Sequence, residues 1–228
     1  MYVHPAFRAT REHALRLLRE RAFGALVVPT VAAPTAVHVP FLTYEEVDGS
    51  LRVELHVARA NPIHALVGEG CPALLMCMGP DAYISPDWYG VPNEVTTWTY
   101  TAAHLTGTAR VLPQSENCAH VDRMVAFFEE QMPGKVPWTA NQVDPHRVAA
   151  MMHAIVSIEL RVEDLQAQLK LIQHKDELRH RGAIAGLRGQ ADAGSHAIAD
   201  LMQETLDGRT AAKGNTETMR KCVVAATA

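Results

Sequence analysis

Apolar and polar positions alternate with a period of two over many short stretches of the chain and with a helical period over fewer. Ala14, Leu15, Leu17, Leu18 and Ala22 fall on one helical face behind Thr10, a residue suited to an N-cap, so a first helix is expected over Thr10–Ala22. Ala25–Pro29 reads as a short strand, followed by a turn-rich patch at Thr30–Pro34. Ala36–Tyr44 and Leu51–Ala58 flank Asp48-Gly49, a pair that closes hairpins because it accepts positive φ. Asn61-Pro62 supplies a cap and a first helical residue for a short helix running to about Val67.

Ala73–Met78, Ala82–Ser85 and Val95–Leu112 carry strand patterns. Ser115–Gln131 is amphipathic and ends at Pro133-Gly134, and Pro145–Met152 suits another short helix. Ile155–Val162 alternates as a strand, with Leu165–Ile172 following it. Beyond Lys175 the composition shifts. His174–Arg188 is rich in charge and interrupted by Gly182 and Gly186, with Gly189 just after it; Ser195–Leu206 suits a last helix, and Asp207–Ala228 has little to anchor it. The expected organisation is a barrel-like core over residues 1–175 and a helical, partly mobile extension over 176–228. Hairpin-linked strands with flanking helices predict an α+β barrel rather than a doubly wound sheet. No GxGxxG follows a strand, which argues against a Rossmann dinucleotide site.

Length and composition narrow the function classes. The 228 residues are 48% apolar and 20% charged, ordinary for a chain that buries a core. A formal net charge of −4 argues against a dedicated nucleic-acid binder, which carries a basic surplus for phosphates. No apolar run approaches the ~20 residues of a membrane helix, and Met1–Arg21 lacks a signal-peptide core. A cytoplasmic location and no membrane partner are expected. Cys71, Cys77, Cys118 and Cys222 form no CxxC pair or zinc spacing.

The candidate chemistry sits in the middle third, roughly Val53 to Gly107. His56-Val-Ala-Arg59-Ala-Asn61-Pro62-Ile-His64, Tyr83-Ile-Ser85-Pro86-Asp87-Trp88-Tyr89 and Thr96-Thr97-Trp98-Thr99-Tyr100, followed by His104, concentrate aromatics, histidines and an arginine. Aromatic side chains with polar handles suit a pocket for a flat, redox-type cofactor. The same residues also suit a strand core with satisfied hydroxyls.

These segments, with Met1-Tyr2 and His38-Val-Pro40-Phe41, resemble the PaiB-like family over residues 1 to about 175. Its members are described as FMN-binding negative transcriptional regulators. The resemblance implies a split β-barrel of the FMN-binding, pyridoxamine-phosphate-oxidase-like kind and a homodimer with cofactor sites at the subunit interface. Against that pattern, Lys170-Leu171-Ile172-Gln173-His174 replaces a Lys-Leu-Ser-Gln-Asn stretch. Thr99 replaces an asparagine, and His64 stands where tryptophan is usual. Hydroxyl and amide groups suited to a flavin phosphate are thereby lost.

His64, placed in a first helical turn, is a candidate single axial ligand for haem iron, because the helix dipole disfavours the imidazolium there. In this respect the chain is similar to the haem-dependent piperazate synthase branch. That likeness implies haem b, with FMN the alternative, and cyclisation of L-N5-hydroxyornithine to L-piperazic acid with loss of water. Implied cofactor contacts are His64, Arg59, Asn61, Trp88, Trp98 and Lys170, with His64 as the metal ligand. Tyr89, Tyr100 and His104 are candidate proton donors or acceptors. Arg59 is a candidate grip on a carboxylate, or equally a barrel ion pair, and satisfied structural roles suit His56 and His104. An FMN-binding oxidoreductase, a transcriptional regulator and a haem-degrading protein are the competing readings.

Overall fold

A computed structural model describes residues 1–208. Six strands close into a barrel in the order β1-β2-β3-β6-β5-β4. They are β1 (Phe23–Val28), β2 (Thr35–Glu45), β3 (Leu51–Ala58), β4 (Cys71–Ile84), β5 (Thr97–Val111) and β6 (Ile155–Lys170). The helices are α1 (Arg11–Arg21), α2 (Ile63–Val67), α3 (Asn117–Glu130), α4 (Pro145–His153), α5 (Glu177–Arg188) and α6 (193–208). The last expected stretch, with Cys222, lies beyond residue 208 and outside the described residues.

The barrel expectation is met, and the local signals explain much of it. Thr10 caps α1 by accepting from the His13 amide, and Ala22 ends it in the left-handed region at φ 42°. Gly49, at φ 80°, turns β2 into β3, while Asp48 accepts from the Ser50 amide. From there β2 and β3 pair antiparallel from Glu45↔Leu51 to Phe41↔Leu55. β3 pairs antiparallel with β6 from Leu51↔Val162 to Ala58↔Ile155. Alternate residues point inward, and Leu26, Val39, Phe41, Val53, Leu55, Leu75, Leu105, Ile158 and Leu160 fill the barrel. Gly107 allows the closest backbone approach: a Cβ there would overlap the Arg161 carbonyl.

Two expectations are corrected. Ala73–Met78 and Ala82–Ser85 belong to one strand, β4, which continues through Gly79-Pro80; proline within a strand forfeits one ladder donor and does not force a stop. Ile155–Val162 and Leu165–Ile172 are likewise joined in β6. These long strands also explain why the compact units do not follow a division at residue 175. One unit comprises Met1, Thr10–Met78 and Ala102–Ala167; the other comprises Tyr2–Ala9, Gly79–Thr101 and the chain from Gln168 onward. The second unit has its own apolar core of Ala82, Ile84, Tyr89, Leu171, Ile172, Ala183, Ile184, Leu187, Ile198, Ala199, Met202 and Leu206. There Gly182 and Gly186 of α5 leave room for the Trp88 backbone and indole, which a Cβ at either position would overlap.

Candidate functional site

In the barrel unit, the turn between β3 and α2 positions His64. Asn61 Oδ1 accepts from the Ile63 amide at 3.0 Å, and α2 starts at Ile63 with Pro62 as its N-cap, one residue later than the sequence pattern indicated. Buried Ile63 and Val67 anchor the helix and leave the half-buried His64 ring on its open side. His64 Nε2 lies 3.0 Å from the Arg59 carbonyl oxygen. A carbonyl only accepts, so Nε2 carries the proton, and in the neutral ring the lone pair is on Nδ1.

Arg59 is committed to backbone groups. Its Nε donates to the His153 carbonyl at 2.6 Å, and its Nη2 to the Ile155 carbonyl at 3.0 Å and to Gln114 Oε1. Its amide donates to the Ala154 carbonyl at 2.7 Å. Gln114 and Asn117 donate to the Met152 carbonyl, and Ser157 Oγ donates to Asn117 Oδ1. The unpaired carbonyls at the end of α4 thus receive a cation and two amides, the complement their partial negative charge favours. Of the two roles open to Arg59, the anion grip gives way to a structural tie, although its partners are carbonyls and an amide rather than an ion pair.

A second polar cluster, which the sequence pattern did not reveal, lies on the outward side of β3 beneath α3. Glu54 Oε2 accepts from His120 Nδ1 at 3.1 Å and from Arg123 at 2.7 Å, and Glu54 Oε1 accepts from Arg52. His56 Nδ1 stands 3.1 Å from His120 Nε2. Glu54 faces Glu159 across the sheet, and Arg110 and Arg161 bind Glu159 at 2.9 and 3.2 Å. Burial by itself raises the Glu54 pKa, but the hydrogen bonds from His120, Arg123 and Arg52 prevail and bring it to about 2. Burial, with His120 beside it, lowers His56 to about 4, so the ring is neutral near neutrality. A usable signal was present: Arg52, Glu54 and His56 occupy every other position of one strand, so they share a face that needed a polar cover.

His104 is also in the barrel unit, on the half-buried, outward-facing set of β5. Burial first, and the Met1 ammonium second, lower its pKa and favour a neutral ring.

The remaining predicted residues are in the second unit. Tyr100 OH accepts from Gln168 Nε2 at 3.1 Å, and Lys170 Nζ sits 5.7 Å from the centre of the Tyr100 ring. Among the described residues, the buried Gln168 Oε1 has no hydrogen-bond partner. Trp98 is half exposed, donates to Asp81 at 2.9 Å and meets Tyr83 edge-on. Trp88 packs on the apolar core around α5 and α6. Tyr89 is 1% exposed within that core, with Lys175 above its ring and its hydroxyl without a hydrogen-bond partner among the described residues. Enclosure there withdraws it from the set of candidate proton donors. Ile172 takes a left-handed φ of 54° in the same core, which is costly for a β-branched residue.

A cleft of about 510 Å³ between α3 and α4 is lined by Cys118, Val121, Asp122, Asn141, Val148 and Met152, with other neighbours, and contains none of the predicted residues. Among the described residues, no cluster of three or more His, Cys, Asp or Glu is arranged to hold a metal ion. A single axial ligand makes no such demand. No helix among the described residues is long and apolar enough to cross a membrane.

Comparison with known proteins places this geometry. Residues 1–164 match the family described as “Putative FMN-binding domain”. The chain is 31% identical over 208 residues to “Protease synthase and sporulation protein PAI 2” of Bacillus subtilis, covering 90% of this chain and 98% of that protein. An uncharacterized protein of Emericella nidulans is 23% identical over 227 residues, covering 83% and 90% of the two chains. The fold is shared with an FAD and haem binding protein from Mycobacterium smegmatis at TM-score 0.52 and 17% identity, over 72% of this chain and 73% of that one. It is also shared with the flavocytochrome Anf3 from Azotobacter vinelandii at TM-score 0.51 and 13% identity, over 72% and 69%. With the family model matching residues 1–164 and a relative matched along nearly its whole length, the chain belongs to the family described as “Putative FMN-binding domain”.

Proposed function

We propose that this chain is a haem-dependent member of its family that cyclises N5-hydroxyornithine to piperazic acid, closing an N–N bond with loss of one water. The observation that carries the reading is His64, whose Nε2 lies 3.0 Å from a backbone carbonyl, a contact that puts the lone pair of the neutral ring on Nδ1. Carbonyl-tethered imidazoles suit metal ligation because the hydrogen bond fixes the ring and raises the basicity of the other nitrogen. His64 would hold haem iron. When bound, the haem supplies a Lewis acid that weakens an N–O bond, and the conversion is redox-neutral, so no external electron donor is required.

The chain's own groups supply proton handling. A neutral His104 can accept a proton from an α-ammonium and free the attacking amine. The same proton, passed on to the departing hydroxide, lets it leave as water. A homodimer is part of the proposal. On the outward side of β1 and β4, Val27 and Ala25 face Leu74 and Met76, with Phe23 and Met78 about half exposed, and a second copy is a fitting cover for this apolar row.

The second reading is an FMN-binding oxidoreductase or regulator, favoured by the family description and by the PAI 2 relative. The local chemistry supports it less, because the Arg59 guanidinium is already engaged and Ile172 offers no hydroxyl. Absorption spectra with added hemin and with FMN separate the two. A Soret band saturating at one haem per chain, lost in His64→Ala, together with conversion of N5-hydroxyornithine to a dehydrated product, supports the cyclase. Flavin uptake without haem binding retires it in favour of the second reading.

A further inference from the structure

The cluster that closes α4 and the His64 ring are joined through one residue. Arg59 is held at its amide by the Ala154 carbonyl and at its guanidinium by the His153 and Ile155 carbonyls and by Gln114. With both ends of the residue pinned, its carbonyl has little freedom to rotate. That carbonyl is the group His64 Nε2 donates to at 3.0 Å. We infer that Arg59 is a positioning residue for His64: its guanidinium, locked on the end of α4, fixes the carbonyl that decides which imidazole nitrogen is left free.

The chemistry follows from the inventory of donors. A neutral imidazole has one protonated and one bare nitrogen, and the two tautomers lie close in energy unless a neighbour selects one. A fixed acceptor beside Nε2 selects the tautomer that leaves Nδ1 bare. If the guanidinium is removed, the turn over residues 58–61 keeps its backbone bonds, Asn61 amide to the Ala58 carbonyl and Arg59 amide to the Ala154 carbonyl, but loses the side-chain anchor on His153, Ile155 and Gln114. The Arg59 carbonyl can then swing, and both tautomers become populated. Lysine is no substitute, because a single ammonium cannot span carbonyls that a planar fork reaches together.

The tautomer is a property of the chain alone, whereas its consequence for haem rests on the reading of His64 as the ligand. The test therefore uses the full-length apo protein labelled with 15N-histidine, with His64 assigned by omission in His64→Gln. Long-range 1H–15N correlation near neutrality is expected to show wild-type His64 as the Nε2-protonated form. Arg59→Lys, and the milder Gln114→Ala, are expected to shift it toward a mixture. Asn117→Ala is the control: it removes a donor from the Met152 carbonyl and from the Ile155 carbonyl that Arg59 also binds, leaves every bond made by Arg59 in place, and should leave the tautomer unchanged.

A wild-type tautomer retained in folded Arg59→Lys and Gln114→Ala overturns the inference. So does an Asn117→Ala protein that scrambles the ring equally, since that marks general loosening. Hemin titration then separates this inference from the functional one. If wild type binds hemin, Arg59→Lys is expected to bind about ten- to a hundredfold more weakly, the usual effect of losing such an outer partner. If wild type binds none, the haem reading fails while the tautomer result still decides the role of Arg59.

Discussion

Replacing Glu54 with glutamine tests the account of the charged cluster beneath α3. The carboxylate is 4% exposed and takes hydrogen bonds from His120, Arg123 and Arg52. Its folded pKa of about 2, against an ordinary 4.5, means that the unfolded chain takes up its proton first as pH falls. The stability Glu54 contributes is therefore complete above pH 4.5 and is lost as pH falls toward 2. The shift corresponds to about 3 kcal/mol at ~1.4 kcal/mol per pH unit, reduced to about 2 because Arg52 and Arg123 are partly solvated. Glu54→Gln should thus cost at least about 2 kcal/mol near neutrality, with up to ~2 more from leaving buried His120 facing an uncharged amide. Denaturant unfolding across the acid range reads both quantities. The variant should be less stable near neutrality and show a shallower acid limb, the two curves converging toward pH 2. A variant that keeps the wild-type slope between pH 4.5 and 2 would refute the reasoning, because another carboxylate must then own that limb.

Three further outcomes are expected from the same structure. His56, half-buried and lowered to about 4 from an ordinary 6.5, destabilises the fold as pH falls between those values, since only the unfolded chain accepts the proton; His56→Gln should flatten the stability profile in that window without altering it below. Gly186→Ala drives a methyl into the Trp88 indole and should cost about 1–3 kcal/mol, with a shift in tryptophan emission; an unchanged spectrum and melting curve would place Trp88 elsewhere. Ile172→Gly releases ~1–2 kcal/mol of left-handed strain but empties a buried side-chain volume worth about 2–5 kcal/mol, so net destabilisation of about 1–3 kcal/mol is expected in thermal unfolding, and a net gain would show that strain dominates.

What could be read from the residues and what could not divides along physical lines. The hairpin at Asp48-Gly49, the Thr10 cap and the period-two stretches are local signals, and local signals carried the barrel. The continuity of β4 through Gly79-Pro80 was illegible because propensity sees a breaker there, whereas the register of a closed sheet overrides it. Tyr89 and Arg59 failed to show their roles for a shared reason. An aromatic with a polar handle looks the same in sequence whether its hydroxyl meets a ligand or is enclosed in an apolar core, as Tyr89 is in the one it shares with Ile184, Leu187 and Met202. Likewise a cation looks available until the carbonyls that end a helix some ninety residues later claim it, and Arg59 meets His153 at that separation. His64 was singled out for standing where tryptophan is usual, and the partner of its ring, the carbonyl five residues before it, is local in the chain. A reading from sequence is therefore most secure for groups whose partners are near neighbours in the chain. The functional case accordingly rests on His64 rather than on the aromatics that first drew attention to this stretch.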